Sequence, residues 1–372
     1  MPRRKREVGE TTLRVVIAGG GTGGHLYPGI AVARELVATR PGTVVSFAGT
    51  TQGIEARVIP REGFDLDTIR SGGLKGKSLA GLVRGAVLIP LGLLDAWHVL
   101  SRRRPSLVIG VGGYSSGPVV LAAALRGLPT LLLEQNAVPG LTNRLLARVV
   151  RAAAVTYPAT QAFFGTRAFV SGNPVRAEFL DDASTQVPRA TDAPVRVLVF
   201  GGSQGAHAIN VAMVAAASRL VASGVRMVVT HQTGERDLDL VRRGYADAGL
   251  QADVQPFLFD MGRRLADADV VVCRAGATTL AELTAAGKPS ILIPLPTATD
   301  DHQRKNAEVL SSAGAAELLV QQDATGDRLA ERIVVMASDA NGRARMGKAA
   351  RALARPDAAK AIVARVLELV AE

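Results

Sequence analysis

A strand–glycine loop–helix unit occurs twice in this chain of 372 residues and limits the folds that it can adopt. The first copy reads LRVVIAGGGTGGHLYPG, in which an apolar run enters the glycine-rich stretch at 19–25. The second reads VRVLVFGGSQGAHAIN and begins at residue 195. Glycine lets the backbone turn tightly after a strand, and the helix that follows offers free N–H groups to an anion. Each copy therefore predicts a βα unit with an anion site at its turn.

Short apolar strands alternate with helical patterns through both halves of the sequence, which indicates βαβ units. We predict an α/β fold of two Rossmann-like domains whose parallel sheets face each other across a cleft. Residues 171–194 are rich in turn formers and acids, so the domains are predicted at 11–175 and 176–356. A final helix is expected at about 357–371. The sequence leaves open whether this helix packs back on the first domain.

The chain is strongly basic, with a formal net charge of +11, which suggests an anionic partner. Aromatic residues make up only 4% and are not interleaved with the basic ones, so we expect no nucleic acid partner. The single cysteine, Cys273, lies in an apolar run and is expected to be a buried side chain. The longest apolar stretch, 86–97, is too short to span a bilayer. We therefore expect a soluble or membrane-peripheral protein.

Four glycine-containing stretches follow predicted strands, at 19–25, 110–118, 201–206 and 273–283. One such loop is often only a packing device, but several at the carboxyl ends of two sheets indicate a ligand crevice. A dinucleotide site would need an acidic residue at the end of the second strand. That strand ends in SFAGTTQG, and Glu55 comes too late to serve.

A nucleotide bound in the second half fits the sequence better than NAD. The stretch ATTLAEL at 277–283 would offer backbone N–H groups, and Glu282 would accept hydrogen bonds from ribose hydroxyls. The alternative for Glu282 is a solvated helix residue without a ligand.

Seven stretches between about 18 and 307 resemble the MurG family of glycosyltransferases: GGGTGGHLYPG, GVGGYSSGP, EQNAVPGLTNR, SGNPVR, GGSQGA, VVVCRAGATTLAEL and TDDHQRKNA. The resemblance implies the GT-B fold and a hexosyltransferase of peptidoglycan synthesis, and thus a part in cell shape and cell division. It implies transfer of GlcNAc from UDP-GlcNAc, with inversion, to the muramyl 4-hydroxyl of undecaprenyl-linked lipid I, giving lipid II. The location it implies is the cytoplasmic face of the cell membrane. The alternatives are a GT-B enzyme with another lipid or small-molecule acceptor and an NAD-binding regulatory protein.

The same resemblance implies a set of donor-binding residues. It places Glu282 on the ribose and the backbone of Leu258 at the uracil. One position departs from the family, since Leu133 stands where many members have histidine. The implied donor residues are Thr22, Gly23, Gly24, Asn136, Arg176, Ser203, Leu258, Ala277, Thr278, Thr279, Leu280, Ala281, Glu282 and Gln303.

Inverting transfer needs a base for the acceptor hydroxyl and a stabilised leaving group. His25 is the leading candidate for the base, because a helix N-terminus disfavours its cation and keeps the ring neutral. Its alternative is to orient the loop. Glu134 is a rival base or an orienting partner, unless it is a buried carboxylate bonded to backbone N–H groups. The DLD and DAD sequences at 65–67 and 267–269 do not occupy loops after strands, so we expect no metal in the chemical step and no cofactor.

Two further sites are expected in the first half. The acceptor pyrophosphate would meet the first two glycine loops through Gly21, Tyr114, Ser115 and Ser116. A membrane surface would meet apolar and basic residues within 71–104, although much of 86–97 is expected to belong to the core. The residues expected at the anionic membrane surface are Leu74, Lys75, Lys77, Leu79, Leu82 and Arg84.

Overall fold

A computed structural model describes residues 12–72, 79–180, 193–202 and 204–372, with the backbone alone described over 79–87. Two parallel sheets form the described structure, as the sequence predicts. The first has the order β3-β2-β1-β4-β5-β6-β7. Its strands are β1 (Arg14–Gly19), β2 (Val44–Gly49), β3 (Asp65–Thr68), β4 (Leu107–Gly112), β5 (Thr130–Glu134), β6 (Ala152–Val155) and β7 (Ala168–Val170).

The second sheet has the order β10-β9-β8-β11-β12-β13 and is also parallel throughout. Its strands are β8 (Val195–Phe200), β9 (Met227–Gln232), β10 (Ala252–Gln255), β11 (Val270–Cys273), β12 (Ser290–Leu292) and β13 (Glu317–Leu318).

Helices cover both faces of each sheet. Those of the first half are α1 (Gly23–Thr39), α2 (Glu55–Arg61), α3 (Leu79–Arg103), α4 (Ser116–Leu125) and α5 (Leu141–Leu146). Those that follow are α6 (His207–Ala222), α7 (Leu238–Ala248), α8 (Met261–Asp267), α9 (Ala277–Ala286), α10 (His302–Ser312), α11 (Gly326–Ser338), α12 (Ala340–Ala352) and α13 (Ala358–Ala371).

Both faces of each sheet are buried, which explains why the strands read as continuous apolar runs. In β1, Val15 and Ile17 enter the core on one face, whereas Val16 and Ala18 enter the core on the other. Cys273 is fully buried in the second half, as expected, and burial raises the pKa of its thiol.

The strand order reverses once in each sheet, between β1 and β4 and between β8 and β11. Parallel α/β sheets bind their ligands at such switch points, outside the carboxyl ends of the strands. The four glycine-containing loops follow these same four strands. The topology therefore brings the loops predicted from sequence to the two ligand-binding positions of the fold.

The last helix returns to the first half of the chain. Four apolar side chains of α13, among them Ile362 and Val366, join the core formed by β1, α1 and β4. The chain thus crosses between the halves near residue 172 and again near 355. These crossings touch, because a Cβ on Gly172 would overlap the side chain of Arg355. The limits 11–175 and 176–356 stay a prediction.

Helix α3 corrects one expectation. The expectation that much of 86–97 belongs to the core is met only in part over the described side chains, 88–97, where Gly92 and Ala96 are buried and Leu93 packs against the core. Ile89, Leu94 and Trp97 expose 44%, 55% and 47% of their surface. On the other side of the helix, Ala96 and Leu100 are buried. The apolar residues therefore cover two faces of α3. One face packs on the first sheet, and the other is exposed.

Val366→Ala tests the contribution of α13 to the first core. Val366 is fully buried, whereas Val335 in α11 is 61% exposed and provides the matched control. We expect Val366→Ala to lower the free energy of unfolding by about 1.5–3 kcal/mol, through lost burial and a cavity. Val335→Ala is expected to change it by less than about 0.5 kcal/mol. Equal effects in urea denaturation would show that α13 does not contribute to the core.

Candidate active site

A cleft of about 1330 Å³ lies between the two sheets and is lined by all four glycine-containing loops. The first half contributes Thr22 to His25 and Gly112 to Tyr114. The second half contributes Gly201, Gly202, Gly205, Ala206 and Gly276 to Thr279. Hydrogen-bond donors from the loops at the ends of both sheets thus converge on one cleft, as the sequence predicts.

The first two glycine loops pack directly on each other. Gly113 has a φ of +80°, and a Cβ on it would lie 2.5 Å from the Gly20 carbonyl oxygen. The imidazole of His25 lies over Gly112, where a Cβ would come within 2.8 Å of the ring. Only glycine allows this approach, because any side chain would separate the loops.

His25 is partly buried at the start of α1, with Nδ1 3.2 Å from the Thr22 hydroxyl. Its pKa is lowered to about 4, chiefly by burial and further by the facing His302, while the Gly20 carbonyl acts in the opposite direction. The predicted direction is confirmed and the ring is neutral at pH 7. The main cause is loss of solvent rather than the helix dipole on which the prediction rested.

Glu55 is a site residue that the sequence analysis missed. Its carboxylate is fully buried beside the first loop and accepts hydrogen bonds from Gly21 N at 2.8 Å and Thr50 N at 2.9 Å. A Cβ on Gly20, Gly49 or Gly53 would overlap the Glu55 side chain. Its pKa is lowered despite burial, because these backbone donors favour the charged form. Gly21 was expected at the acceptor pyrophosphate, but its N–H is already bonded to Glu55.

Glu134 holds the loop after β5 in a similar way. Its Oε1 accepts from the backbone and side-chain nitrogens of Asn136, at 3.0 and 3.2 Å. Its Oε2 accepts from Gly140 N at 3.0 Å and Asn143 Nδ2 at 2.9 Å. Burial raises the pKa of this carboxyl, and the same hydrogen bonds oppose the rise. The geometry is that of a buried carboxylate bonded to backbone N–H groups.

Hydrogen bonds made by Thr278 and Asn306 join the two halves beside the cleft. The Thr278 hydroxyl donates to the Gly24 carbonyl at 2.9 Å. The buried Asn306 accepts from Ala137 N at 2.8 Å and donates to the Asn136 side chain at 3.1 Å. Asn136, an expected donor residue, is therefore also part of the contact between the halves.

Arg176 and Glu282, both expected at the donor, lie together. Arg176 bonds to Glu282 at 3.1 Å, pairs with Glu178 at 2.8 Å, and lies between the rings of Tyr27 and Phe179. Burial raises the pKa of Glu282 to about 7, and Arg176 opposes that rise. Glu282 is therefore a buried cleft residue and not a solvated helix residue.

The other predicted residues divide into two groups. Leu258, Thr279, Gln303 and Tyr114 line the cleft. The Leu280 side chain instead packs in a hydrophobic core of the second half, and Ala281 does not line the cleft. The side chains of Ser115 and Ser116 are buried and do not line the cleft either. Ser203 lies outside the residues that the structure describes.

The DLD sequence at 65–67 is bound by arginines. Asp67 pairs with Arg102 at 2.5 Å and Arg103 at 2.7 Å, and Asp65 pairs with Arg103 at 2.7 Å. These residues belong to β3 and the end of α3, outside the cleft.

Comparisons with known proteins agree with this two-domain fold. Residues 15–155 match the Glycosyltransferase family 28 N-terminal domain, and residues 196–362 match the C-terminal domain of that family. An Anaeromyxobacter sp. (strain K) protein is 47% identical over 359 residues, covering 96% of this chain and 93% of the relative. A Myxococcus xanthus (strain DK1622) protein is 45% identical over 361 residues, covering 97% and 94%. Both are named UDP-N-acetylglucosamine–N-acetylmuramyl-(pentapeptide) pyrophosphoryl-undecaprenol N-acetylglucosamine transferase.

The crystal structure of Acinetobacter baumannii MurG superimposes with a TM-score of 0.79 at 31% identity, covering 96% of this chain and 99% of that one. The chain belongs to the MurG family. A kitacinnamycin glycosyltransferase shares the fold, with a TM-score of 0.72 at 17% identity. In this MurG-family chain, Leu133, the position where the sequence departs from the expected pattern, is buried in the first core.

Glu55→Gln tests whether this carboxylate holds the first glycine loop of the MurG-family site. The amide has one acceptor oxygen and no charge, so the donors of Gly21 and Thr50 lose charge-assisted bonds. We expect the free energy of unfolding to fall by about 2–3 kcal/mol. Glu331→Gln, at an exposed position of α11, is the control and should change it by less than about 0.5 kcal/mol. Indistinguishable denaturation curves for the two variants would contradict this role of Glu55.

Proposed function

We propose that this chain transfers GlcNAc from UDP-GlcNAc to the muramyl 4-hydroxyl of lipid I, with inversion, and so forms lipid II for peptidoglycan synthesis. Membership of the MurG family and the names of the close relatives support this activity. The observation that carries the proposal is the single cleft in which a neutral His25 faces the loops of the second sheet. A lone nucleotide site would not require a base on the opposite wall.

The donor is proposed to bind in the second half of the cleft. The ribose hydroxyls would bond to Glu282, which Arg176 orients, and the uracil would meet the backbone near Leu258. The diphosphate would lie at the loop 201–206 and the start of α9, where backbone N–H groups and helix dipoles favour negative charge. Gln303, which bonds to Leu295 N at 3.0 Å, would border the sugar.

His25 is proposed as the base. The acceptor oxygen forms a bond to the anomeric carbon while its proton passes to the imidazole, and the bond to the β-phosphate oxygen breaks with its electron pair going to UDP. The low pKa of His25 keeps the ring free to accept that proton, and the acceptor's diphosphate would raise its basicity on approach. Glu134 is proposed to hold the loop 135–140 instead, since both of its oxygens are already bonded twice.

The acceptor is proposed to approach from a membrane surface on the cytoplasmic side. Over the described residues, no helix is long and apolar enough to cross a membrane. Ile89, Leu94 and Trp97 are exposed on α3, and the Arg126 guanidinium lies 4.9 Å from the Trp97 ring centroid. Apolar side chains beside cations suit an anionic interface. Leu74, Lys75 and Lys77, and the side chains of Leu79, Leu82 and Arg84, lie outside the described part of the chain.

A transfer assay tests the proposed function. The purified chain is incubated with UDP-GlcNAc and a short-chain lipid I analogue, and the product is followed by mass spectrometry. We expect the acceptor to gain one N-acetylhexosamine and UDP to be released. His25→Ala should lower kcat by about 10²–10⁴-fold, because the base is lost, while the affinity for UDP stays unchanged. Transfer to a diacylglycerol or macrolide but not to the lipid I analogue would favour the alternative acceptor class. A kcat for His25→Ala within a few-fold of the parent would reject the base.

Leu94→Ser tests the membrane surface, with Val335→Ser as the control at another exposed apolar position. Sedimentation with anionic vesicles should weaken several-fold for Leu94→Ser, because a leucine side chain contributes about 1.5–3 kcal/mol when fully buried. Val335→Ser should bind like the parent. Binding should also weaken with added salt, since salt screens exposed charges. Equal binding of the two variants would contradict a role for this face.

A further inference from the structure

A line of polar side chains runs from the interior of the second half to the cleft. The Tyr245 hydroxyl lies 2.7 Å from His231 Nδ1, and His231 Nε2 lies 3.0 Å from Asn210 Oδ1. Asn210 Nδ2 donates to Asp237 at 2.9 Å, and Asp237 meets Nδ1 of His207 at 2.9 Å. The first three members and Asp237 are buried, whereas His207 is 54% exposed at its side chain and lines the cleft. The line therefore ends at the surface where the donor is proposed to bind.

Asp237 fixes the orientation of His207. Both carboxylate oxygens lie within 3.0 Å of Nδ1, so this nitrogen donates its proton to Asp237. Asn210 holds the carboxylate from the other side and also donates to the Thr233 carbonyl at 2.9 Å. The remaining ring nitrogen, Nε2, has no hydrogen-bond partner among the described residues, and His207 lines the cleft.

His207 also lies directly beside the loop proposed for the diphosphate. It is the first residue of α6 and follows Gly205 and Ala206, which line the same cleft. Gln232 Nε2 donates to the Gly202 carbonyl at 3.0 Å, so the end of β9 supports this loop. The loop and the imidazole are thus held by the same strand end and the turn that follows it.

Other basic groups on this side of the cleft are bonded to protein atoms. Arg176 pairs with Glu178 and Glu282. Arg274 donates to the carbonyls of Ile293 and Pro294, and to Gln321 at 2.7 Å. His302 Nδ1 lies 2.5 Å from the Thr299 carbonyl.

We propose that His207, oriented by Asp237, donates a hydrogen bond from Nε2 to the diphosphate of the bound sugar nucleotide and stabilises the charge of the departing UDP. This assignment rests on the proposed function and adds a residue to it. Since Nδ1–H already faces Asp237, donation from Nε2 requires the imidazolium form. The Asp237 carboxylate lies on the Nδ1 side of the ring, and Arg236 lies 4.0 Å from that carboxylate. A cation at this position offsets the negative charge that develops when the anomeric C–O bond breaks.

Binding of UDP and of uridine to His207→Leu separates this contact from a general loss of structure. Uridine carries the base and ribose but no diphosphate. By calorimetry and ligand-observed NMR, we expect UDP affinity to fall about tenfold or more, as for loss of a hydrogen bond to a charged group. Uridine affinity should stay within twofold, and kcat for transfer should also fall. UDP affinity within twofold of the parent, or equal weakening of UDP and uridine, would overturn the assignment.

Asp237→Asn tests the positioning residue, with Asp239→Asn as a matched control at an exposed position of α7. Asp237→Asn should weaken UDP several-fold and spare uridine, because Nδ1 of His207 would face one neutral amide oxygen in place of the two carboxylate oxygens that orient the ring. Asp239→Asn should leave both affinities unchanged. Unchanged UDP affinity in Asp237→Asn would overturn the role of Asp237. A parent protein that neither binds UDP nor transfers GlcNAc would instead reject the proposed function itself.

Discussion

Two buried carboxylates fix the backbone that shapes the cleft. Glu55 accepts N–H groups from the first glycine loop and from the end of β2, and Glu134 accepts them from the loop after β5. A buried carboxylate needs several hydrogen-bond donors to offset its loss of hydration. Loops can supply them, because their backbone N–H groups are not used in helix or sheet hydrogen bonds. Each carboxylate therefore stabilises its loop, and each loop stabilises the charge. The position of His25 depends on this arrangement, because its ring lies on the second loop and beside the first.

The strands, the parallel sheets and the four loops were predictable because they depend on local patterns. A strand buried on both faces is continuously apolar, and glycine spacing marks a turn wherever it occurs. The role of Glu55 was not predictable in this way. It depends on the space that Gly20, Gly49 and Gly53 leave together, and Gly20 lies far from Glu55 in sequence.

Exposure was also harder to predict than secondary structure. The pattern in α3 indicates a helix, but it does not reveal which apolar side chains meet the sheet and which meet solvent. The same limit applies to Leu280 and Ser116, whose motif positions are next to ligand-facing residues while their side chains turn into the interior. A motif identifies the loop, and only the packing decides which atoms reach the cleft.

The two contacting crossings of the chain, at Gly172 and Arg355, have a mechanical consequence. Two halves joined by one linker can twist freely about it, whereas two linkers side by side resist that twist, because twisting would wind one around the other. Since both linkers pass through the same place, any opening of the cleft would pivot there. The two crossings would therefore favour a motion that brings His25 back opposite α9 when the cleft closes.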